Sequence, residues 1–259
     1  MSAHISTNKV GVVVLGAGDG KRMKSTVPKV LTLLDGQPLI EHVISHIEAA
    51  GCCDRPVVVV SAKHNKVQDY LGDRAVYALQ TEQLGTGHAL ATAEKFLSGK
   101  VEYVVVMCGD SPFITGQSLR DLIEVHKKSN SVLTMSTATT PDFQDWRAAF
   151  QAVGRIVRSQ SGQVTRIVEM KDATKQELMI REINPGFYCF QSDWLWPHLQ
   201  QLQNNNAQKE YLLTDLVALA IAEGHEVVTV TLPLREVVGV NSPEDLRAVE
   251  ELKELRSDM

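Results

Sequence analysis

The chain has 259 residues, 44% of them hydrophobic and 22% charged, with a formal net charge of −5. That balance excludes a disordered chain, and the acidic excess excludes non-specific nucleic-acid binding, which needs surplus Lys and Arg to displace phosphate counterions. The opening MSAHISTNK lacks the apolar core of a signal peptide and no run reaches the roughly 20 apolar residues that span a bilayer, so a cytoplasmic protein with no membrane partner is expected.

In chain order, VGVVVL, PLIEHVISHIEAAG, PVVVVS, a further helix and VVVM follow a strand–helix rhythm. Uninterrupted valines suit strands buried on both faces of a parallel sheet. Pro38 suits a first helical turn and Gly51 a C-terminal cap, while Thr86 and Thr115 suit N-caps of HALATAEKFL and SLRDLIEVHKK. From about Val153 the runs shorten to RIVRS, VTRIVEM and EINPGFYCF, which read as strands added to the same sheet or to a small flanking one. TDLVALAIAEGHEVVTVTL gives a helix stopped at Gly224 and then a strand. In NSPEDLRAVEELKELR, Ser242 is the expected N-cap, with Pro243 and Asp245 at the first and third helical positions.

The expected fold is α/β: a Rossmann-like, mostly parallel twisted sheet with helices on both faces and a small added β region in the second half. No linker or repeat divides the chain, so a single domain over 1–259 is expected. The four cysteines, Cys52, Cys53, Cys108 and Cys189, show no framework spacing and are expected to be free thiols. His42 and His46 share a helix face without a third ligand nearby, so they read as ordinary helix-surface residues.

LGAGDGKRM follows the first strand. A dinucleotide fingerprint fails because Lys21 stands where the third glycine belongs, and a Walker loop fails because only three residues separate Gly16 from Gly20 and Arg22 follows Lys21. What remains is a glycine-rich loop bearing Lys21 and Arg22, with Lys29 a few residues on, suited to a polyphosphate or equally to a solvated surface turn. Asp110 in VVVMCGDSPF lies beyond a buried strand, at the sheet edge where ligands bind; it reads as a Mg²⁺ ligand or as a turn aspartate. In LQTEQLGTGHAL, Gln80 and Gln83 offer amide donors and acceptors beside Gly85, Thr86 and Gly87, where a backbone could approach a flat base; the bland alternative is a helix-capping loop.

With LGAGDGKRMKSTVPKVL, LQTEQLGTGHAL, CGDSPF, GRIV, IVEMKDAT, EINPGFY, NNNAQKEYLLTDLV and GVNSPEDL in order, the chain resembles the N-terminal uridylyltransferase (pyrophosphorylase) domain of bacterial N-acetylglucosamine-1-phosphate uridylyltransferases. The resemblance covers nearly the whole chain and implies the nucleotide-diphospho-sugar transferase type of fold, with about 1–150 holding the nucleotide and about 151–259 the sugar and the C-terminal helices. It implies UTP and a sugar 1-phosphate, N-acetylglucosamine 1-phosphate, as substrates, with Mg²⁺ or Mn²⁺ as cofactor. By the same resemblance, Leu15, Gly16, Ala17 and Gly18 bind the nucleotide through their backbone, with Arg22 and Lys29 on its phosphates. Gln80, Gln83, Gly85 and Thr86 hold uracil and its surroundings, Asp110 and Asn241 share the metal, and Gly154, Glu169 and Asn184 hold the amino sugar.

Some residues depart from the family pattern. Gly16 stands where alanine is common, Cys108 where a tyrosine often precedes the glycine, and Pro185 where a threonine usually follows the asparagine; PDFQDWRAAFQAVGRI is longer than the usual segment. These departures cluster on the sugar side. The hexapeptide-repeat β-helix that carries acetyl transfer in the fused enzymes is not found in the chain, so no acetyl-CoA partner and no acetyltransferase activity are expected.

Overall fold

The computed structural model describes residues 9–18, 20–23 and 27–257; the side chains of Lys21, of 251 and of 253–257 lie outside that description. Strand β1 (Val10–Leu15) is followed by a small hairpin, β2 (Leu33–Leu34) and β3 (Gln37–Pro38), and by α1 (Leu39–Ala50), β4 (Val57–Ser61), α2 (Lys66–Leu71) and β5 (Val76–Gln80). Next come α3 (Thr86–Ala91), α4 (Glu94–Leu97), β6 (Tyr103–Cys108), α5 (Gly116–Ser129) and β7 (Leu133–Thr139). The second half holds β8 (Arg155–Arg158), β9 (Val164–Val168), β10 (Glu182–Ile183), β11 (Tyr188–Gln191), α6 (Ser192–Leu199), α7 (Asp215–Ala222), β12 (Val228–Thr231) and α8 (Pro243–Ser257).

The main sheet runs β5-β4-β1-β6-β11-β7-β10-β8-β9, with β12 paired to β7. Its first four strands are parallel, as expected, and β12 runs parallel to β7. Strand β11 enters antiparallel between β6 and β7, and β8, β9 and β10 extend the sheet by antiparallel pairing. The short runs of the second half are therefore added strands of the same sheet.

The valine runs are buried on both sides for the reason the pattern suggests. Val12 and Val14 face a cluster with α1 and α5 residues such as Ile44 and Leu122, whereas Val13 faces the opposite cluster with α6 and α7 residues such as Leu195 and Leu216. Alternate side chains of one strand thus need two apolar partners.

Most of the expected punctuation is present. Gly51 takes φ 62° at the end of α1 and Gly224 takes φ 82° after α7. Thr115 accepts from Ser118 N at 3.2 Å, and Ser242 accepts from Asp245 N at 3.1 Å. Two caps differ from expectation. Pro38 precedes α1 in an extended conformation, φ −57° and ψ 146°, because it is still paired in the β2–β3 hairpin. The Thr86 hydroxyl does not cap its own helix; it accepts from Leu213 N at 2.9 Å, while Gly85 occupies the cap position. HALATAEKFL is also not one helix: Thr92 turns its hydroxyl back onto Ala89 O at 2.7 Å and α3 ends there.

The segment before α7 presses on α3. Tyr211 N donates to Leu84 O and Gly87 N donates to Tyr211 O, both at 2.8 Å. Gly85 has φ 111°, and a Cβ there would stand 2.5 Å from Tyr211 O. Gly85→Ala should therefore lower the unfolding free energy by about 2–4 kcal/mol, combining left-handed strain with a backbone clash. Urea denaturation checks this; a midpoint within error of wild type would refute the clamp.

Candidate active site

The parallel strands all end at one edge, and the loops leaving them form a cavity of about 480 Å³. Leu15, Gly16, Ala17 and Gly18 supply one wall, with Arg22 and Lys29 beside them; Gln80, Gln83, Gly85 and Thr86 supply another; Asp110 and Asn241 close it. Every residue assigned from the sequence to the nucleotide and the metal lines this cavity. Asp19 lies outside the described residues.

Backbone pairing explains why they meet. Gly16 N donates to Val59 O at 2.9 Å and Gly109 N to Leu15 O at 3.0 Å, drawing the glycine loop and the Asp110 loop onto adjacent strand ends. A Cβ on Gly16 would lie 3.2 Å from Val59 O, so the loop hugs β4. Val240 N donates to Asp110 O at 2.9 Å, which carries Asn241 across from the far end of the chain. Asn241 N in turn donates to Asp245 Oδ2 at 2.9 Å, tying it to the first turn of α8.

Lys29, Asp110 and Asn241 form a single cluster. The Lys29 ammonium contacts Asp110 Oδ2 and donates to Asn241 Oδ1 at 2.9 Å. Two oxygen donors from opposite ends of the chain thus converge on one cationic point. A carboxylate and an amide oxygen are hard donors of the kind Mg²⁺ accepts, and two are enough for an ion that keeps waters and bridges substrate phosphates. Among the described residues no group of three or more His, Cys, Asp and Glu could hold a metal by itself, so the donor set fits an ion bound jointly with a ligand.

The side-chain nitrogens of the two glutamines are engaged within the protein. Gln80 is 3% exposed, and its Nε2 donates to Gly85 O at 3.2 Å and lies 3.1 Å from His88 Nδ1. Gln83 Nε2 donates to Ala17 O at 3.0 Å, tying the glycine loop to the opposite wall. Gln80 thus braces its own wall, and Gln83 joins that wall to the glycine loop.

Gly154, Glu169 and Asn184 do not line that cavity, but the sheet gathers them. Arg155 pairs with Val168 on β9 and with Ile183 on β10, so the next residues, Gly154, Glu169 and Asn184, fall side by side in one row. Asn184 N donates to Gly154 O at 2.9 Å. Thr214 donates to Glu169 Oε1 at 3.1 Å, and Asn184 Nδ2 donates to the Tyr188 hydroxyl at 2.6 Å. Asn184 Oδ1 accepts from Gly186 N at 3.3 Å, so Asn184 also closes the bend through Pro185. Burial pushes the Glu169 carboxyl above its usual range, reinforced by Asp215, Asp172 and Glu210 and opposed by the Thr214 hydroxyl.

Tyr188, Thr214 and Glu210, the last lining the cavity, were not singled out from the sequence. Thr214 and Glu210 lie within NNNAQKEYLLTDLV, but nothing in the spacing points them at β9. Cys108 also lines the cavity, and its Sγ lies 3.6 Å from where a Gly186 Cβ would stand, so it joins the nucleotide cavity to the Asn184 bend. Burial pushes its thiol up to about 12, which leaves it a packing group and not a nucleophile. All four cysteines are free, as expected. His42 Nε2 lies 3.1 Å from Leu34 O, a local contact with no ligating role. Among the described residues no helix is long and apolar enough to cross a membrane.

Comparison with known proteins agrees with this geometry. The chain is 41% identical over 247 residues to the bifunctional protein GlmU of an Exiguobacterium species, covering 95% of this chain and 53% of that one. It is 44% identical over 244 residues to the bifunctional protein GlmU of Heliobacterium modesticaldum, covering 94% and 52%. The chain therefore spans about half the length of the curated relatives it matches. Among solved structures, the fold is shared with a Bacillus anthracis protein assigned as a glucose-1-phosphate thymidylyltransferase, at TM-score 0.74, 17% identity and 94% coverage of each chain. It is shared equally with a UDP-glucose pyrophosphorylase solved with UDP-glucose, at TM-score 0.74, 15% identity and coverage of 96% and 99%. Residues 12–221 match the MobA-like NTP transferase domain, and the chain belongs to that family.

Proposed function

We propose that the protein transfers the uridylyl group of UTP to N-acetylglucosamine 1-phosphate, releasing pyrophosphate. The observation that carries this reading is the convergence of the glycine loop, Lys29, Asp110 and Asn241 on one cavity, in a chain about 40% identical to proteins named GlmU. The glycine loop offers backbone groups to the nucleotide, and the walls tied by Gln80 and Gln83 form a slot for its base. The row of Gly154, Glu169 and Asn184 offers a carboxylate and an amide to the hydroxyl and acetamido groups of the sugar.

In this reading a phosphate oxygen of the sugar 1-phosphate attacks the α-phosphorus of UTP in line, and pyrophosphate leaves. The attacking oxygen is already ionised near neutral pH, so no general base is required, and no side chain here is placed as a nucleophile. The chain's own work is alignment and charge neutralisation. Lys29 is fixed by Asp110 and Asn241 at the phosphate end of the cavity, and the exposed Arg22 stands at its lip to meet the departing pyrophosphate. Asp110 and Asn241 would hold Mg²⁺, or Mn²⁺, which when bound supplies further charge neutralisation on the phosphates.

The deciding assay is pyrophosphate release from UTP, dTTP, CTP and GTP against a panel of sugar 1-phosphates with Mg²⁺. Turnover confined to UTP and N-acetylglucosamine 1-phosphate is expected, whereas preference for another pair would replace this substrate assignment. Asp110→Ala should reduce that turnover by about 1000-fold while the thermal transition stays cooperative; near-normal activity would remove Asp110 from the metal site. Lys29→Ala should lower kcat by about 100-fold with the UTP:CTP preference unchanged. Loss of base discrimination alone would contradict its phosphate role.

Glu169 adds a pH signature. Its carboxyl is raised in the folded chain, so folding binds its proton more tightly. That contribution is fully present below the unfolded carboxyl range and is lost as pH rises through the folded value. Glu169→Gln should therefore be more stable than wild type near neutral pH, and the gap should close on acidification. Thermal melts of both proteins between pH 4 and 8 check this; a gap that widens on acidification would refute it.

A further inference from the structure

We propose that Arg155 is a positioning residue that sets the geometry of the sugar-phosphate subsite through the segment preceding it, an inference that rests on the reading of Gly154, Glu169 and Asn184 as the sugar row. Arg155 is only 1% exposed, and no carboxylate among the described residues pairs with it. Its guanidinium is instead given to main-chain carbonyls. Nη1 donates to Phe150 O at 3.1 Å and to Val153 O, and Nη2 donates to Gln151 O at 3.1 Å. The Phe143 ring lies 4.6 Å from its Cζ. Burying a guanidinium among neutral acceptors costs stability, and its Nε has no partner at all. A position maintained against that cost demands a geometric reason.

The reason lies in what the three carbonyls do. They end the 3-10 helix Asp145–Ala152, so the cation caps that helix at its negative end. Val153 O belongs to the peptide immediately before Gly154. Fixing it orients Gly154, whose own carbonyl accepts from Asn184 N at 2.9 Å. A Cβ on Gly154 would stand 3.4 Å from Glu169 Oε1, so a small rotation here moves the space beside that carboxylate. Because side chains alternate along a strand, Arg155 anchors on the sheet face opposite to Gly154.

The divergent segment thus becomes part of the specificity apparatus without touching substrate. Phe150 is buried in the same apolar cluster as Val249 and Leu252, and the 3-10 helix packs on α8, the helix that follows Asn241. A planar fork that serves three carbonyls and stacks on Phe143 cannot be replaced by a single ammonium.

The test compares Arg155→Lys and Phe143→Ala with wild type in the full chain. Arg155→Lys should raise KM for the sugar 1-phosphate about tenfold, while UTP affinity measured calorimetrically on the free protein stays within about twofold. Phe143→Ala keeps the guanidinium and removes only its stacking partner, and should shift the same KM by about threefold. Hydrogen exchange at the Asn184 amide should accelerate about tenfold in Arg155→Lys whichever sugar phosphate proves to be the substrate. That arm separates failure of this inference from failure of the substrate assignment. Unchanged Asn184 exchange together with an unchanged KM, or equal weakening of UTP and sugar phosphate, would overturn the proposal. Should Arg155→Lys not fold, Phe143→Ala decides by the same two readouts.

Discussion

The contact of the Lys29 ammonium with Asp110 and Asn241 is the constraint on which the remainder of the site depends. It joins a residue after the glycine loop, one after β6 and one before α8. None of the three could reach the others without the β1–β6 pairing and the bond from Val240 N to Asp110 O. A buried or half-buried carboxylate facing an amide oxygen is unfavourable unless a cation stands between them. The cluster therefore demands positive charge at one point, and that demand suits the proposed joining of two phosphate-bearing ligands.

The glycines and glutamines of LQTEQLGTGHAL illustrate how one motif serves scaffold and function together. Gly85 and Gly87 are needed because Tyr211 lies against them, and Thr86 lends its hydroxyl to Leu213 N. Gln80 and Gln83 tie their own wall and the glycine loop. A cavity wall braced in this way is ordered before any ligand arrives, and such order limits the cost of binding. The same two side chains that the sequence offers to a base thus also brace the backbone around the cavity.

Much of the fold was legible because local chemistry fixed it. Unbroken valine runs announced strands covered on both faces, and Thr115, Gly51, Gly224 and Ser242 capped helices where their chemistry suggested. The misses have a common cause. Thr86 and Pro38 obey local rules that tertiary partners override: Leu213 takes the hydroxyl of one, and the β2–β3 hairpin holds the other. The antiparallel entry of β11 between β6 and β7 is a long-range pairing that periodicity cannot encode. In the cavity, the glycine loop, Gln80, Gln83 and Asp110 stood out by their chemistry, each beside a plainer alternative, whereas Asn241 could be named only through the family resemblance. Tyr188 and Thr214 could not, because their roles come only from which strands become neighbours.

The two halves of the site are built on different principles. The nucleotide cavity sits at the carboxyl edge of parallel strands, where loop identity can vary only within tight backbone limits: a Cβ on Gly16 would press on Val59 O, and one on Gly85 would strike Tyr211 O. The row of Gly154, Glu169 and Asn184 lies across antiparallel β8, β9 and β10, set by the pairing of Arg155 with Val168 and Ile183 and by the bend at Asn184 and Gly186. Arg155 links the 3-10 segment to that row through main-chain carbonyls, and the same segment packs on α8, whose first turn holds Asn241. In the proposed reading, the sugar and nucleotide ends of the site thus rest on separate sets of strands that α8 links. Of the departures from the family pattern, Pro185 and the longer segment before Gly154 fall on that side, Gly16 lies in the glycine loop, and Cys108 lines the cavity with its Sγ 3.6 Å from where a Gly186 Cβ would stand.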